Sequence, residues 1–228
     1  MKKLIQVFLG LVFAAGLASC ADIKSDPKTL PQDLVKRATE TVKRFKVLPE
    51  LRSFAKVTNE ARAVVVLPSV IKAGFFGAAE AGHGLLLVKG DDGTWSYPAF
   101  YTLMAGSFGF QIGIQDVEII LVIRSEKALD AVIDYQAALG ADAGITIGIF
   151  GSGVKASTTA NLDADIVAFA HSKLGLFGGI SLEGSVLSRR RDFNEAYYAP
   201  GATSRAIVLK RQHKNAGADI LRAALASK

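Results

Sequence analysis

Apolar and polar positions change their rhythm along this chain, and each rhythm predicts a different element. Leu4 to Leu17 is apolar except for Gln6, Gly10 and Gly16, and it follows the basic Met1-Lys2-Lys3. Residues 21–28 are polar with one proline. From Thr29 to about Val47 the apolar residues Leu34, Val35, Ala38, Val42 and Phe45 recur at spacings of three and four, which predicts an amphipathic helix. Pro49 ends it, and Glu50 to Asn59 predicts a second, short helix burying Leu51 and Phe54.

Beyond residue 60 the pattern is mainly that of strands. Ala63-Val64-Val65-Val66-Leu67 is a buried run that Pro68 closes. Gly84 to Lys89 ends in the turn Gly90-Asp91-Asp92-Gly93, and Trp95 to Leu103 is the next extended segment. From Phe108 to Gln115 apolar residues alternate with glycine and glutamine, and Glu118 to Ile123 continues as a buried strand. Ser125 caps a helix running from Glu126 to about Ala138. Ile145 to Ile149, Ile166 to Ala170 and Leu176 to Leu187 predict further strands, with short helices at Asp192–Tyr198 and Asp219–Leu225. The connections are short, so one domain is expected.

The start of the chain has the layout of a secretory leader: basic residues, a short apolar stretch, then small residues before a cut site. The apolar stretch falls short of the roughly 20 residues that span a bilayer as a helix. Leu17-Ala18-Ser19-Cys20 resembles the lipobox of bacterial lipoproteins. That resemblance implies cleavage after Ser19 and diacylglycerol on the Cys20 thiol. Cys20 is the only cysteine, so neither a disulfide framework nor a thiolate metal site is available. Ala21 rather than aspartate follows it, which by the same resemblance favours the outer membrane over the inner, with the domain facing the periplasm. The expected organisation is a leader over residues 1–19, a tether over 20–28 and a domain over 29–228.

Composition narrows the functional classes. Losing Lys2 and Lys3 with the leader lowers the formal net charge from +6 to +4, mild for a nucleic-acid binder but suited to an anionic lipid surface. No nucleic-acid partner is expected. Twenty-two glycines among short Val, Ile, Leu and Phe runs point to strands whose backbones approach closely. Gly74-Phe75-Phe76-Gly77-Ala78 and Gly175-Leu176-Phe177-Gly178-Gly179 echo each other and suggest two related β units.

Taken in order, these segments resemble the SYLF domain, a lipid-binding family of bacteria and eukaryotes. The matching pieces include Val64-Val65-Val66-Leu67-Pro68, Gly82-His83-Gly84-Leu85-Leu86, Trp95-Ser96-Tyr97-Pro98-Ala99-Phe100, Gly109-Phe110-Gln111-Ile112-Gly113, Ser172 to Gly184 and Tyr197-Tyr198. The resemblance runs from about residue 30 to the C-terminus. It implies binding to membrane lipid through the N-terminal helix and nearby basic residues; eukaryotic relatives take phosphoinositides, and some bind actin filaments. Actin is not expected here, because an exported protein meets no cytoplasmic actin. Phosphoinositide specificity is not carried over either, which leaves affinity for anionic phospholipid.

Lys36, Arg37, Lys43, Arg44 and Lys46 surround the apolar stripe of the first helix and are the leading candidates for headgroup contact. The competing reading packs that stripe on the sheet and leaves the charges solvated. Arg189, Arg190 and Arg191 form a second basic cluster, and Lys210, Arg211 and Lys214 a third. Gly151-Ser152-Gly153-Val154-Lys155-Ala156 matches a dinucleotide fingerprint, but no βαβ series surrounds it, and a tight hairpin explains its glycines better. His83, His171 and His213 show no catalytic or metal-binding spacing, and Trp95, Tyr97 and Phe100 read as core. An outer-membrane barrel does not fit, since helices interrupt short strands.

The expectation is therefore an α+β fold, mainly antiparallel strands in a sandwich or partial barrel, with N-terminal amphipathic helices. Its expected role is that of a non-catalytic, cofactor-free lipid-binding module. The alternative is an envelope interaction protein whose only lipid contact is the acylated Cys20.

Overall fold

The computed structural model describes residues 29–74, 77–108, 113–134, 145–151, 163–173, 182 and 184–227. Cys20, the leader, residues 21–28 and most of the two echoed glycine–phenylalanine segments lie outside them.

The amphipathic helix is α1, Leu30–Val47. Pro31 in its first turn, Asp33 near its N-terminus and Arg44 and Lys46 near its C-terminus suit its end charges. It stops at Leu48, which is extended ahead of Pro49. A 3-10 turn over Pro49–Leu51 and α2, Phe54–Asn59, follow.

Among the described residues seven strands form one sheet: β1 Ala63–Gly74, β2 Gly77–Val88, β3 Ala99–Phe108, β4 Gly113–Ile123, β5 Ile147–Gly151, β6 Ile166–Ser172 and β7 Val186–Arg189. Their order is β5-β6-β4-β1-β2-β3-β7, and every neighbouring pair is antiparallel except β5–β6. The helices α3 (Glu126–Asp134), α4 (Arg191–Tyr197), α5 (Ser204–Val208) and α6 (Asp219–Ala226) complete the fold. The Ser125 hydroxyl accepts from the Ala128 amide 3.2 Å away and starts α3 as expected.

The α+β class and the largely antiparallel strands match the expectation, but the sandwich or partial barrel gives way to one open sheet between two helical layers. The reason lies in the central strands, which are apolar on both faces. Val64 and Val66 of β1 and Ile120 and Val122 of β4 pack under α1, α2 and α6 with Phe45, Phe54 and Leu221. Val65, Leu67, Ile119 and Leu121 pack on the other face with Leu129, Val132 and Ile133 of α3 and Ile207 of α5. Helices cover both faces, and no second sheet is needed.

Two local expectations are corrected. Pro68 does not end β1: the strand continues to Gly74 across an irregularity, since its register slips between Leu67 and Val70 against β4. The Lys173 ammonium donates to the Pro68 carbonyl, which satisfies an acceptor at that irregularity. Phe108 and Gly113 belong to different strands, the last residue of β3 and the first of β4. The strands β5 and β6 run parallel, and the glycine-rich stretch after Gly151, read as a tight hairpin, lies outside the described residues. Trp95 and Phe100 are core residues as expected.

Candidate functional site

Helix α1 sorts its residues by face. Leu34, Val35, Ala38, Val42 and Phe45 are almost fully buried against the sheet and α6. The apolar stripe is thus used inside the protein and does not enter a headgroup layer; what faces solvent is the basic side.

Of the five basic candidates on α1, three point outward. Lys36 and Arg37 are exposed, Arg37 beside Asp33 at 3.8 Å, and Lys43 is exposed beside Glu40 at 3.0 Å. Such surface pairs leave most of the positive field available to an external anion. The other two are held by the fold. Arg44 contacts the Glu118 carboxylate at 2.5 Å. Lys46 donates to the Ala224 carbonyl at 2.6 Å, to the Ser227 carbonyl and to the Ser227 hydroxyl at 3.1 Å, placing a cation on the C-terminus of α6. Burial holds the Lys46 ammonium below its usual range.

The outward face of α1 lines a surface groove of about 720 Å³. Lys36, Arg37, Lys43 and Arg44 edge it from the helix, Lys173 from the end of β6, and Ile220 from α6. Five cations against Glu40 and Glu118 make the groove net positive, a field that attracts phosphate groups.

A second notch, of about 360 Å³, lies where the N-terminal half of α1 meets the sheet. Leu30, Leu34 and Arg37 form one wall; Ile71, His83 and Arg190 are among the residues opposite. Arg190 holds Asp192 through two bonds, 2.9 Å from Nε and 2.6 Å from an Nη, and its guanidinium stacks 3.6 Å above the Phe193 ring. Its other Nη reaches His83 Nδ1 at 3.2 Å and Thr102 Oγ1 at 3.4 Å. Burial foremost, then Arg190, holds the His83 imidazole below its usual pKa.

The triplet Arg189, Arg190, Arg191 does not form one patch. The end of a strand and the start of a helix aim its members apart. Arg189 donates to the Ile133 carbonyl at 3.3 Å on the α3 side of the sheet, whereas Arg190 serves the α1 side. Arg191 pairs with Glu195 at 2.8 Å on the surface. Of the downstream basic residues, Arg211 clamps the β2–β3 turn, donating 2.8 Å to both the Thr94 hydroxyl and the Thr94 carbonyl. The sequence assigned no role to His83 or Ile71. Their signal was present only as a histidine between two glycines and as an isoleucine beyond a proline.

The model of the Ysc84 family, described as "Las17-binding protein actin regulator", matches residues 104–228, more than half of the chain. The chain belongs to this family. Ysc84 is the SYLF domain, so the resemblance seen in the sequence holds. Protein YSC84 of Saccharomyces cerevisiae is 31% identical over 198 residues, which are 80% of this chain and 42% of that protein. An SH3 domain-containing protein of Schizosaccharomyces pombe is 33% identical over 174 residues, 75% of this chain and 40% of its own length. SH3 domain-containing YSC84-like protein 1 of Rattus norvegicus is 31% identical over 182 residues, 78% of this chain and 51% of its own. The chain thus spans about half or less of the Ysc84 relatives it matches.

Proposed function

We propose that this chain is a non-catalytic lipid-binding module of a bacterial envelope, held by acyl chains on Cys20, whose helix α1 meets anionic headgroups through Lys36, Arg37 and Lys43. The observation that carries the reading is the division of labour on α1. Its apolar stripe and two of its five cations serve the fold, while three cations face outward along a positive groove. Attachment through Cys20 rests on the leader and Leu17-Ala18-Ser19-Cys20, and Ala21 favours the outer membrane, facing the periplasm. Two or three acyl chains hold firmly where one holds only reversibly.

The family's description as a Las17-binding actin regulator is not carried over. The reported relatives are longer than this chain, two of them named for SH3 domains, and a chain exported as proposed meets no cytoplasmic actin.

The test is flotation of the full chain carrying Cys20→Ser with vesicles of phosphatidylglycerol and phosphatidylcholine, against phosphatidylcholine alone. Each basic residue near an anionic surface contributes about 1 kcal/mol. Replacing Lys36, Arg37 and Lys43 together by glutamine is expected to weaken binding to the anionic vesicles about a hundredfold. Unchanged flotation of the triple variant would reject the role of α1. Flotation that ignores phosphatidylglycerol in both proteins would favour an interaction protein tied to lipid only by its anchor. Mass spectrometry of protein from its native membrane tests the acyl chains directly.

A further inference from the structure

At the end of the sheet beyond the N-terminus of α1, the usual placement of apolar and charged residues is reversed. On the face that α1 shares, Asp116, Ile71, Ala81 and Met104 form one cross-strand row over four adjacent strands. Ile114, Ala73, Ala79 and Gly106 form the next. Ile71 is 44% exposed, Met104 49% and Ile114 77%, and the alanines between them are exposed as well. On the opposite face of the same strands Lys72 and Glu80 pair at 2.9 Å and are only 8% and 3% exposed. A buried ion pair is costly and needs excellent geometry to break even. A sheet end that buries this ion pair and shows aliphatic side chains to water, beside an Asp116 held by Ser69 and Lys173, is built to have something against that face.

Charge complementarity selects the occupant. The apolar rows run into the notch edged by Arg37 and Arg190, with Lys36 on the next exposed position of α1. Arg37, whose pair with Asp33 is as long as 3.8 Å, and the Arg190 guanidinium stand at the edge of these rows, where they can meet an incoming oxygen anion. Small residues between the three large aliphatic ones keep the face flat. A flat aliphatic surface with guanidinium groups along one border matches the boundary between acyl chains and phosphates in a bilayer.

We infer that this end of the sheet is the surface that seats on an anionic bilayer, with Ile71, Met104 and Ile114 entering the acyl boundary and Arg37 and Arg190 at the level of the phosphates. The inference rests on the lipid-binding reading and adds to it the face that touches the membrane. The outward side of α1 then supplies the long-range attraction, and the sheet end supplies the apolar contact. This removes a difficulty left by the fold, since the apolar stripe of α1 is spent inside the protein.

The experiment uses the full chain with Cys20→Ser, carrying one new thiol at a time labelled with an environment-sensitive fluorophore. Ile114→Cys reports the sheet end, Lys43→Cys reports α1, and Asp91→Cys, in the turn at the opposite end of β2, is the reference. On vesicles containing phosphatidylglycerol, the label at position 114 is expected to shift to shorter wavelength and to be quenched by lipid-borne nitroxides, while position 91 stays as in water. Ile71→Ser with Ile114→Ser is expected to weaken vesicle binding about tenfold. A response at position 43 with none at 114 overturns the inference and leaves the lipid-binding reading intact. Silence at both positions on vesicles overturns both. A shift at position 114 without vesicles, together with a doubled mass in light scattering, assigns the face to a second copy of the chain and also overturns it.

Discussion

The guanidinium of Arg44 lies 2.5 Å from a carboxylate oxygen of Glu118, a residue 74 positions away whose side chain is 2% exposed. The same oxygen accepts from the Thr41 hydroxyl at 2.6 Å, and Lys173 stands 3.8 Å off. One turn of α1 thereby clamps onto the middle of β4. Removing a single partner leaves a buried carboxylate under-compensated, which costs more than the net value of the pair. Arg44→Ala is expected to destabilise the protein by about 2 kcal/mol. Lys36→Ala, on the solvent side of the same helix, should stay within about 0.5 kcal/mol. Urea midpoints of the two variants check the contrast, and equal midpoints would show that Arg44 is a surface charge like its neighbours.

The irregularity in β1 depends on a missing side chain in β2. A Cβ on Gly84 would lie 2.7 Å from the Val66 carbonyl oxygen, and one on Gly82 would collide with the carbonyl of Ser69. Backbone stands on the other side of both contacts, so neither yields without moving the strand. Gly84→Ala is expected to cost about 1–3 kcal/mol. Gly106→Ala, where a Cβ meets nothing within 4 Å, should leave thermal stability within about 0.5 kcal/mol of the parent. Differential scanning calorimetry of the pair measures this; a destabilised Gly106→Ala with an unaffected Gly84→Ala would contradict the described register.

His83 makes stability fall in mild acid. Burial, then Arg190, holds its folded pKa below the ordinary value of 6.5, Arg37 adds to the lowering, and Asp192 opposes it. The unfolded chain therefore binds the proton more readily than the native one, so stability rises with pH in this window. Its contribution is complete above about pH 6.5 and is lost progressively as pH falls from there towards the folded pKa. His83→Gln should flatten that part of the urea-midpoint profile between about pH 7 and 5. An unchanged slope would place the pH dependence on other groups.

Much of this architecture was legible in the chain. The spacing of Leu34, Val35, Ala38, Val42 and Phe45 located α1 to within a residue, because burial on one face imposes that period directly. What periodicity does not carry is partnership across the fold. Nothing near Arg44 announces Glu118, and nothing near Lys46 announces the carbonyls of α6, so both read as headgroup candidates equal to Lys36 and Lys43. The parallel pairing of β5 with β6 was hidden for a related reason: the glycines after β5 suit a hairpin locally, while the pairing is decided by distant strands. Ile71, Met104 and Ile114 were the hardest to place. Aliphatic residues in a strand read as core, and only the helical layer ending short of them leaves them exposed.

The three consecutive arginines give a last contrast, because sequence treats them alike and the fold does not. Arg190 is bound twice by Asp192, lies 3.6 Å above the ring of Phe193, whose side chain is fully buried, and borders His83. A partly desolvated cation on an aromatic face contributes about 1–2 kcal/mol. Among the described residues Arg191 makes an exposed pair with Glu195 at the i,i+4 spacing, a geometry that contributes about 0.3–0.5 kcal/mol. Arg190→Ala is therefore expected to lower the urea midpoint clearly and Arg191→Ala hardly at all. Arg190→Lys separates the two components of the first effect. It retains a charge near Asp192 but loses the flat stack and the two-point bond, so it should recover only a minor part of the loss. Full recovery by lysine would mean that charge alone, and not the guanidinium plane over Phe193, holds the start of α4 against the sheet.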